Sequence, residues 1–404
     1  MAINKKLIHF KEKADFVNEV ANNNILDHSI VFIQDSKEIS THGTVYKTVN
    51  WSVLERESNY MKVVALEDGL TVSFTNPLEY SFDSKTWQSL PANTQTPAIN
   101  KDQYVAFRAN LTPKAESGIG TFSIDKQCDL KGSCMSLLFG DDFRDKNDLT
   151  GYDCAFLNLF SNQSNIKSVD PGFLPATTLS TACYVNMFFG CTSLTTAPEL
   201  PATTLTDYCY QLMFGLCSSL VSAPELPATT LASSCYLAMF GLCSSLVSAP
   251  ELPATELATY CYEGMFKGCT SLTIAPELPA TAVGGYCCHE MFSDCISLTT
   301  APELPATELA THCYEGMFKG CSSLTTAPEL PATELKFNCY SNMFSGCSKL
   351  NYIKALFTTT PSSSYTKDWV FGVSSTGTFV KSKDATWNIT GNDGVPTNWT
   401  IEVA

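Results

Sequence analysis

The stretch LPATELATYCYEGMFKGCTSLTIAPE, residues 252–277, decides how this chain folds, because near-copies of it stand on both sides. Its opening Leu-Pro-Ala-Thr begins at Leu174, Leu200, Leu226, Leu252, Leu278, Leu304 and Leu330, a step of 26 residues each time without an insertion. Seven such units cover 174–355. A unit this short cannot bury an apolar face alone, so the copies must stack into a solenoid. Within the unit, Cys261, Tyr262, Met265, Phe266 and Cys269 fall at i, i+1, i+4, i+5 and i+8, one stripe of a short helix. Gly268 suits a left-handed helix stop. A short extended piece around Leu272 and Ala275 follows. Pro276 and Pro279 limit it, since proline cannot donate to a sheet ladder. The expected fold is therefore mixed α/β, each unit a short strand, a polyproline-like edge and a short helix.

Of the 18 cysteines, most form two columns: Cys183, Cys209, Cys235, Cys261, Cys287, Cys313, Cys339, and Cys191, Cys217, Cys243, Cys269, Cys295, Cys321, Cys347. Eight residues along a helix is roughly 12 Å, too far for a disulfide. Small apolar thiols lining a stacked core explain both columns, and free thiols fit a reducing compartment. The run Cys287-Cys288-His289-Glu290 invites a metal reading. Two of its cysteines belong to the columns or their neighbours, however, and no C-x-x-C pair accompanies it. No metal or cofactor is expected.

The unit resembles the leucine-rich repeats of BspA-type bacterial surface proteins, with their C-x-x-L…P…A-F-x-x-C frame, at Cys269, Leu272, Pro279, Met291-Phe292 and Cys295. The departure is three extra residues and an additional proline per unit. The resemblance covers about 150–404 and implies a leucine-rich-repeat-like solenoid capped at both ends. The organisation expected is an N-terminal attachment module (1–55), a small antiparallel β-sandwich-like domain (56–127), a cap with an irregular repeat (128–173), seven repeats (174–355) and a C-terminal β cap (356–404). The sandwich rests on alternating stretches such as TVSFTNPLEYSFDSKTWQSLP between turn signals. The segment Ile30-Val31-Phe32-Ile33 to Ile39-Ser40-Thr41-His42-Gly43-Thr44-Val45-Tyr46 resembles the opening module of virion proteins from crAss-like phages of Bacteroides-type bacteria. That resemblance implies attachment to other virion proteins.

Charge excludes some roles. Twenty-five basic against 40 acidic residues leave −15, with no Lys/Arg run, so nucleic acid is not an expected partner. No apolar run of about 18 residues is present, so membrane insertion is not expected. Charges interrupt the start MAINKKLIHFKEKADFVNEV before any signal core forms, and the expectation is a chain folded in the cytoplasm of a host. His42 reads as a turn histidine beside Gly43, and the four carboxylates of Gly140–Leu149 read as a solvated cap loop without the glycine of an EF-hand.

Stacking turns sequence columns into surface stripes. Glu199, Glu225, Glu251, Glu277, Glu303 and Glu329 form an acidic one. More informative are two columns that vary within the fixed frame. One precedes the first cysteine (Ala182, Tyr208, Ser234, Tyr260, Tyr286, His312, Asn338), and the other lies two residues after it (Val185, Gln211, Leu237, Glu263, His289, Glu315, Ser341). Tyr208, Tyr260, Tyr286, His312, Gln211, Glu263, His289 and Glu315 are the candidate binding residues, suited to a bacterial surface protein or glycan. No G-x-S-x-G, H-E-x-x-H, P-loop or G-x-G-x-x-G appears. The expected function is a non-enzymatic phage virion appendage, a tail or head fibre-like protein whose solenoid binds a host receptor. By analogy with such appendages it is a homo-oligomer, a trimer. A BspA-like cell-surface adhesin is the alternative, and a polysaccharide-degrading appendage enzyme a remote one.

Overall fold

The computed structural model describes residues 59–404 in full and, within 1–58, the backbone of four strands. These are β1 (Leu7–Phe10), β2 (Ile30–Ile33), β3 (Glu38–Thr41) and β4 (Thr44–Thr48), in one sheet with β1 parallel to β2 and the remaining pairs antiparallel. The rest of the expected attachment module, His42 included, lies outside the described residues.

The second compact unit, Tyr60–Ala404, begins with β5 (Met61–Ala65), β6 (Val72–Phe74), β7 (Leu78–Ser81), β8 (Gln88–Leu90), β9 (Tyr104–Arg108), β10 (Phe122–Ile124) and β11 (Cys128–Lys131). Met61, Val63 and Ala65 of β5 are fully buried and alternate with half-buried neighbours, the pattern of a strand with one face on a core. A six-stranded sheet runs β12-β11-β5-β9-β7-β8, where β12 is Ile166–Val169. The β6/β10 pair lies on its face: Phe122 of β10 packs 5.2 Å from Phe107 of β9 and 4.4 Å from Phe74. The region is sheet-rich, as expected, but its larger sheet takes in β12 from beyond residue 127. Its parallel β11–β12 edge carries the sheet directly into the first rung of the solenoid. One hydrophobic core runs from Tyr60 to Trp399.

The expected helices are absent, and the mixed α/β assignment is corrected. Among the described residues helix is confined to one α turn, Ser136–Phe139, and two 3₁₀ turns. Residues 256–403 form a β-solenoid of about six turns, preceded by a sheet-rich region. Where a helix was expected, the chain makes successive four-residue turns whose backbone groups divide their bonds in two directions. In 260–269 the N–H groups of Cys261, Glu263, Met265, Lys267 and Cys269 donate three residues back. Those of Tyr260, Tyr262, Gly264, Phe266 and Gly268 donate to carbonyls of the next rung, from Gly285 to Ser293. Every amide N–H of the segment is thereby satisfied, as burial requires. The alternation demands a left-handed residue at every fourth position: Tyr260, Gly264 and Gly268 have φ of 58°, 58° and 72°.

The two side chains that follow each of the first two of those positions point inward and stack. A phenylalanine spine runs from Phe122 through Phe160, Phe188, Phe214, Phe240, Phe266, Phe292, Phe318 and Phe344 to Trp369, with repeat-to-repeat spacings of 5.6–5.8 Å. A tyrosine column beside it (Tyr184, Tyr210, Tyr236, Tyr262) is interrupted by Cys288 and resumes at Tyr314 and Tyr340. All 18 cysteines are free thiols, and all but half-buried Cys154 are buried. Those of the second column each donate S–H to a phenylalanine carbonyl of the preceding rung, as Cys243 does to Phe214 at 3.1 Å. Burial pushes the Cys243, Cys295 and Cys347 thiols up to about 12.

Within the repeats, β13 (Glu256–Leu257) and β14 (Ala282–Val283) are a short parallel pair on the proline-bounded side, which is otherwise joined by isolated bridges. Then β15 (Tyr352–Ala355), β16 (Thr378–Lys381) and β17 (Thr400–Val403) close the end as a parallel sheet. The indole N–H groups of Trp369, Trp387 and Trp399 donate to the carbonyls of Gly394, Phe357 and Ser374, so these large rings cap the core with their polar atoms satisfied.

Candidate functional site

The two variable columns meet because they are the ends of one turn. Glu263 donates its N–H to the Tyr260 carbonyl, His289 to that of Tyr286 and Glu315 to that of His312, at 3.2–3.3 Å. The two residues inside each turn go to the core, and the first and fourth side chains are left on the outer surface. A tyrosine or histidine at the first position adopts a left-handed backbone, φ 56–58°. That conformation costs an L-residue about 1–2 kcal/mol, and the alternating bonds of the turn ladder require it of whichever residue stands there.

Six of the eight candidates come together on three consecutive rungs. Tyr260 and Tyr286 stack at 4.7 Å, and Tyr286 and His312 at 4.2 Å with planes 8° apart. Both spacings are tighter than the spine beneath them. Gly284 contributes to this: a Cβ there would lie 2.8 Å from Leu257 and Ala258 backbone atoms, and its absence lets the two rungs pair as β13–β14. His289 stands edge-on to Tyr286 at 5.8 Å and its Nδ1 lies 3.1 Å from Glu263. His312 is hydrogen-bonded through Nδ1 to Glu315. Tyr286 is thus held between two imidazoles, each tied to a carboxylate.

Electrostatics follow from this arrangement. Burial alone would lower the His289 pKa, but the Glu263 hydrogen bond and the charges of Glu263, Glu290 and Glu315 outweigh it and the pKa is raised. Glu290 is likewise disfavoured by burial, yet its bond to Lys267 holds its carboxyl below the usual range. The Tyr286 hydroxyl is raised by desolvation, by Tyr260 and by the carboxylates of Glu315 and Glu263.

Tyr208 and Gln211 stand apart from this cluster. Tyr208 is 43% exposed, and the rung between it and Tyr260 carries only the small, buried Ser234. Reasoning on the columns also missed Phe337, which is 54% exposed and packs edge-on against His312 at 5.3 Å. It sits one residue before the variable column, where other units carry Thr259, Gly285 and Thr311, so an aromatic there was its signal.

The remaining motifs fall elsewhere. Cys287 and Cys288 point into the core while His289 lies on the surface with Glu263, so the four-residue run does not converge. Among the described residues no group of three or more His, Cys, Asp and Glu is placed to hold a metal. In the acidic loop, Asp141 accepts from Tyr60 and Arg108, and Asp148 caps the Thr150 N–H. The glutamate column from Glu199 to Glu329 is exposed, with Lys354 paired to Glu329 at 2.8 Å. Comparison with protein-family models, curated proteins and solved structures finds no match to this chain.

Proposed function

We propose that the chain is a non-enzymatic recognition protein, a virion appendage whose solenoid binds a protein or glycan on a bacterial surface through the turn wall centred on Tyr286. The observation that carries this reading is the stack Tyr260–Tyr286–His312 with its flanking Glu263, His289 and Glu315. These are half-buried side chains on the outer wall, aromatic or charged where other rungs carry Ala182, Ser234 or Asn338, on rungs whose inward residues hardly change. Aromatic rings fixed by their neighbours lose little entropy on contact, and carboxylates and imidazoles beside them supply directional hydrogen bonds. The resemblance of the 30–46 segment to phage virion modules supports a position on the particle, with the N-terminal module joined to other virion proteins. Several copies, three by analogy, would add avidity. The BspA-like frame supports a bacterial surface adhesin as the second reading, with the same binding wall.

The test is cell binding of the fluorescently labelled full chain, with Tyr286→Ser and Phe337→Ser as variants. Each should lower binding about tenfold, the loss of a contact of about 1.4 kcal/mol, in a protein that circular dichroism shows to be folded at the assay temperature. Unchanged binding by both removes the wall from the site. Tryptic mass spectrometry then separates the two locations: peptides in purified particles mean a virion component, and peptides only in washed host membranes mean the adhesin.

A further inference from the structure

A second site lies on the β-domain, in residues that the sequence analysis left without a role. A half-open groove of about 450 Å³ runs between Phe82, which follows β7, and Tyr104, which opens β9. This volume falls within the range of about 300–1,000 Å³ of small-molecule sites. Its walls are apolar, formed by the two rings with Pro97 and Ile99, and its rim carries Asp102 and Gln103. We infer that this groove binds a pyranose ring of an uncharged saccharide.

Three observations converge on that ligand class. First, the walls are held in place before any ligand arrives. Asp83 accepts from the N–H groups of Lys85 and Thr86 and from the Ser81 hydroxyl at 2.7–2.8 Å, which fixes the loop presenting Phe82. On the other side, the Gln103 side chain accepts from the Asn100 N–H at 2.8 Å, and the Asp102 N–H donates to the Ala65 carbonyl at 2.9 Å. Preorganisation of this kind removes the ordering cost from binding. Second, Phe82 is 39% exposed, with Tyr80 against only one side of it at 5.4 Å, edge to face. An exposed ring on a pinned loop offers an apolar platform at a surface otherwise free to be polar.

Third, the polar rim is of mixed type. The Asp102 carboxylate accepts only, and it sits at φ 66° at the exposed rim. With its oxygen taken by Asn100, Gln103 has its amide N–H groups left to donate. A half-open groove leaves one side of the ligand in water, so the ligand must be apolar on one face and hydroxylated on its edges and other face. A pyranose meets that description: its C–H face lies on Phe82 or Tyr104, and adjacent hydroxyls donate to Asp102 and accept from Gln103. The carboxylate disfavours acidic sugars.

The experiment is saturation-transfer difference NMR on the full chain with the methyl pyranosides of glucose, galactose, mannose and N-acetylglucosamine as probes. At least one should receive saturation on its ring C–H protons, and Phe82→Ala should weaken that signal at least tenfold. Asp102→Asn keeps both the size and the left-handed preference of the residue, and should weaken it several-fold. The Tyr286→Ser protein should retain the full signal, so failure here and failure of the turn-wall reading are separately visible. No transfer to any of the four probes overturns the inference, as does a signal unaffected by Phe82→Ala in a protein whose melting temperature is unchanged. Transfer lost equally in Tyr286→Ser would assign the sugar to the solenoid instead.

Discussion

Replacing Gly264 by alanine distinguishes a wall of turns from a wall of helices by the sign of one number. In a helix interior, Gly→Ala raises stability by about 1 kcal/mol. Here Gly264 has φ 58°, and a Cβ built on it meets only Ala238 Cβ at 3.8 Å and Lys267 Cβ at 3.9 Å, ordinary contacts. No clash obscures the backbone effect. A left-handed alanine costs about 1–2 kcal/mol, and the stiffer unfolded chain returns about 0.4–1 kcal/mol. The net is a loss of up to about 1.6 kcal/mol, and about 0.8 kcal/mol at the middle of both ranges. Gly346, at φ 81° with its virtual Cβ 3.5 Å from Gly320 Cα, provides an independent repeat of the same measurement. Urea unfolding of the full chain, followed by circular dichroism, should show a lower midpoint for both variants at an unchanged slope. A higher midpoint for either would refute the turn ladder and restore the helix.

Three further outcomes follow from the packing and the charges. Thiol titration of the native protein should register almost no reaction, and denaturation without reductant should release all 18 free thiols; a majority in disulfides would overturn the stacked-thiol core. Cys288→Tyr restores the ring missing between Tyr262 and Tyr314, and two ring contacts of about 0.5–1.5 kcal/mol each should raise the unfolding midpoint; a lower midpoint would mean that the neighbouring turns have closed on the thiol. The raised pKa of His289 means that its proton is held more tightly in the folded state than in the unfolded chain. Its stabilisation is complete below the ordinary histidine pKa of about 6.5 and is lost as pH rises through the folded value. Melting temperature should therefore fall more between pH 5.5 and 8 in the natural protein than in His289→Gln, and equal falls would dismiss the Glu263 pairing.

The repeat, the inward cysteines and the proline-limited strand were legible because each is a statement about period or about a missing donor. The turn ladder was not. Over nine residues, an apolar pattern at i, i+1, i+4, i+5 and i+8 lies within one face of a helix and also fits a strict period of four. The discriminating signal was the glycine or asparagine at every fourth position, as in Asn186 and Gly190, Gly264 and Gly268, and Asn342 and Gly346. Tyr260 and Leu242, which occupy the same left-handed positions with φ of 58° and 63°, disguise it. The variable columns identified most of the wall, since exposed positions vary where buried ones do not. Tyr208 fell out because a column says nothing of what its neighbour lacks, here a ring at Ser234. The groove was invisible, because residues 82 and 97–104 become neighbours only through the pairing of β7 with β9.

The phenylalanine spine has a consequence for how such a gene can change. Each rung offers the next the same ring at nearly the same height, so an in-frame loss of residues 226–251 would set Phe214 against Phe266 with the contact that Phe240 now makes to either. Unequal recombination between the near-identical segments can therefore lengthen or shorten the array without inventing a new interface. The two ends escape this freedom, because Phe122 and Trp369 each join the spine to a partner that occurs once. Length becomes a heritable variable, and the outer wall can be extended or reshuffled rung by rung while the ends stay fixed.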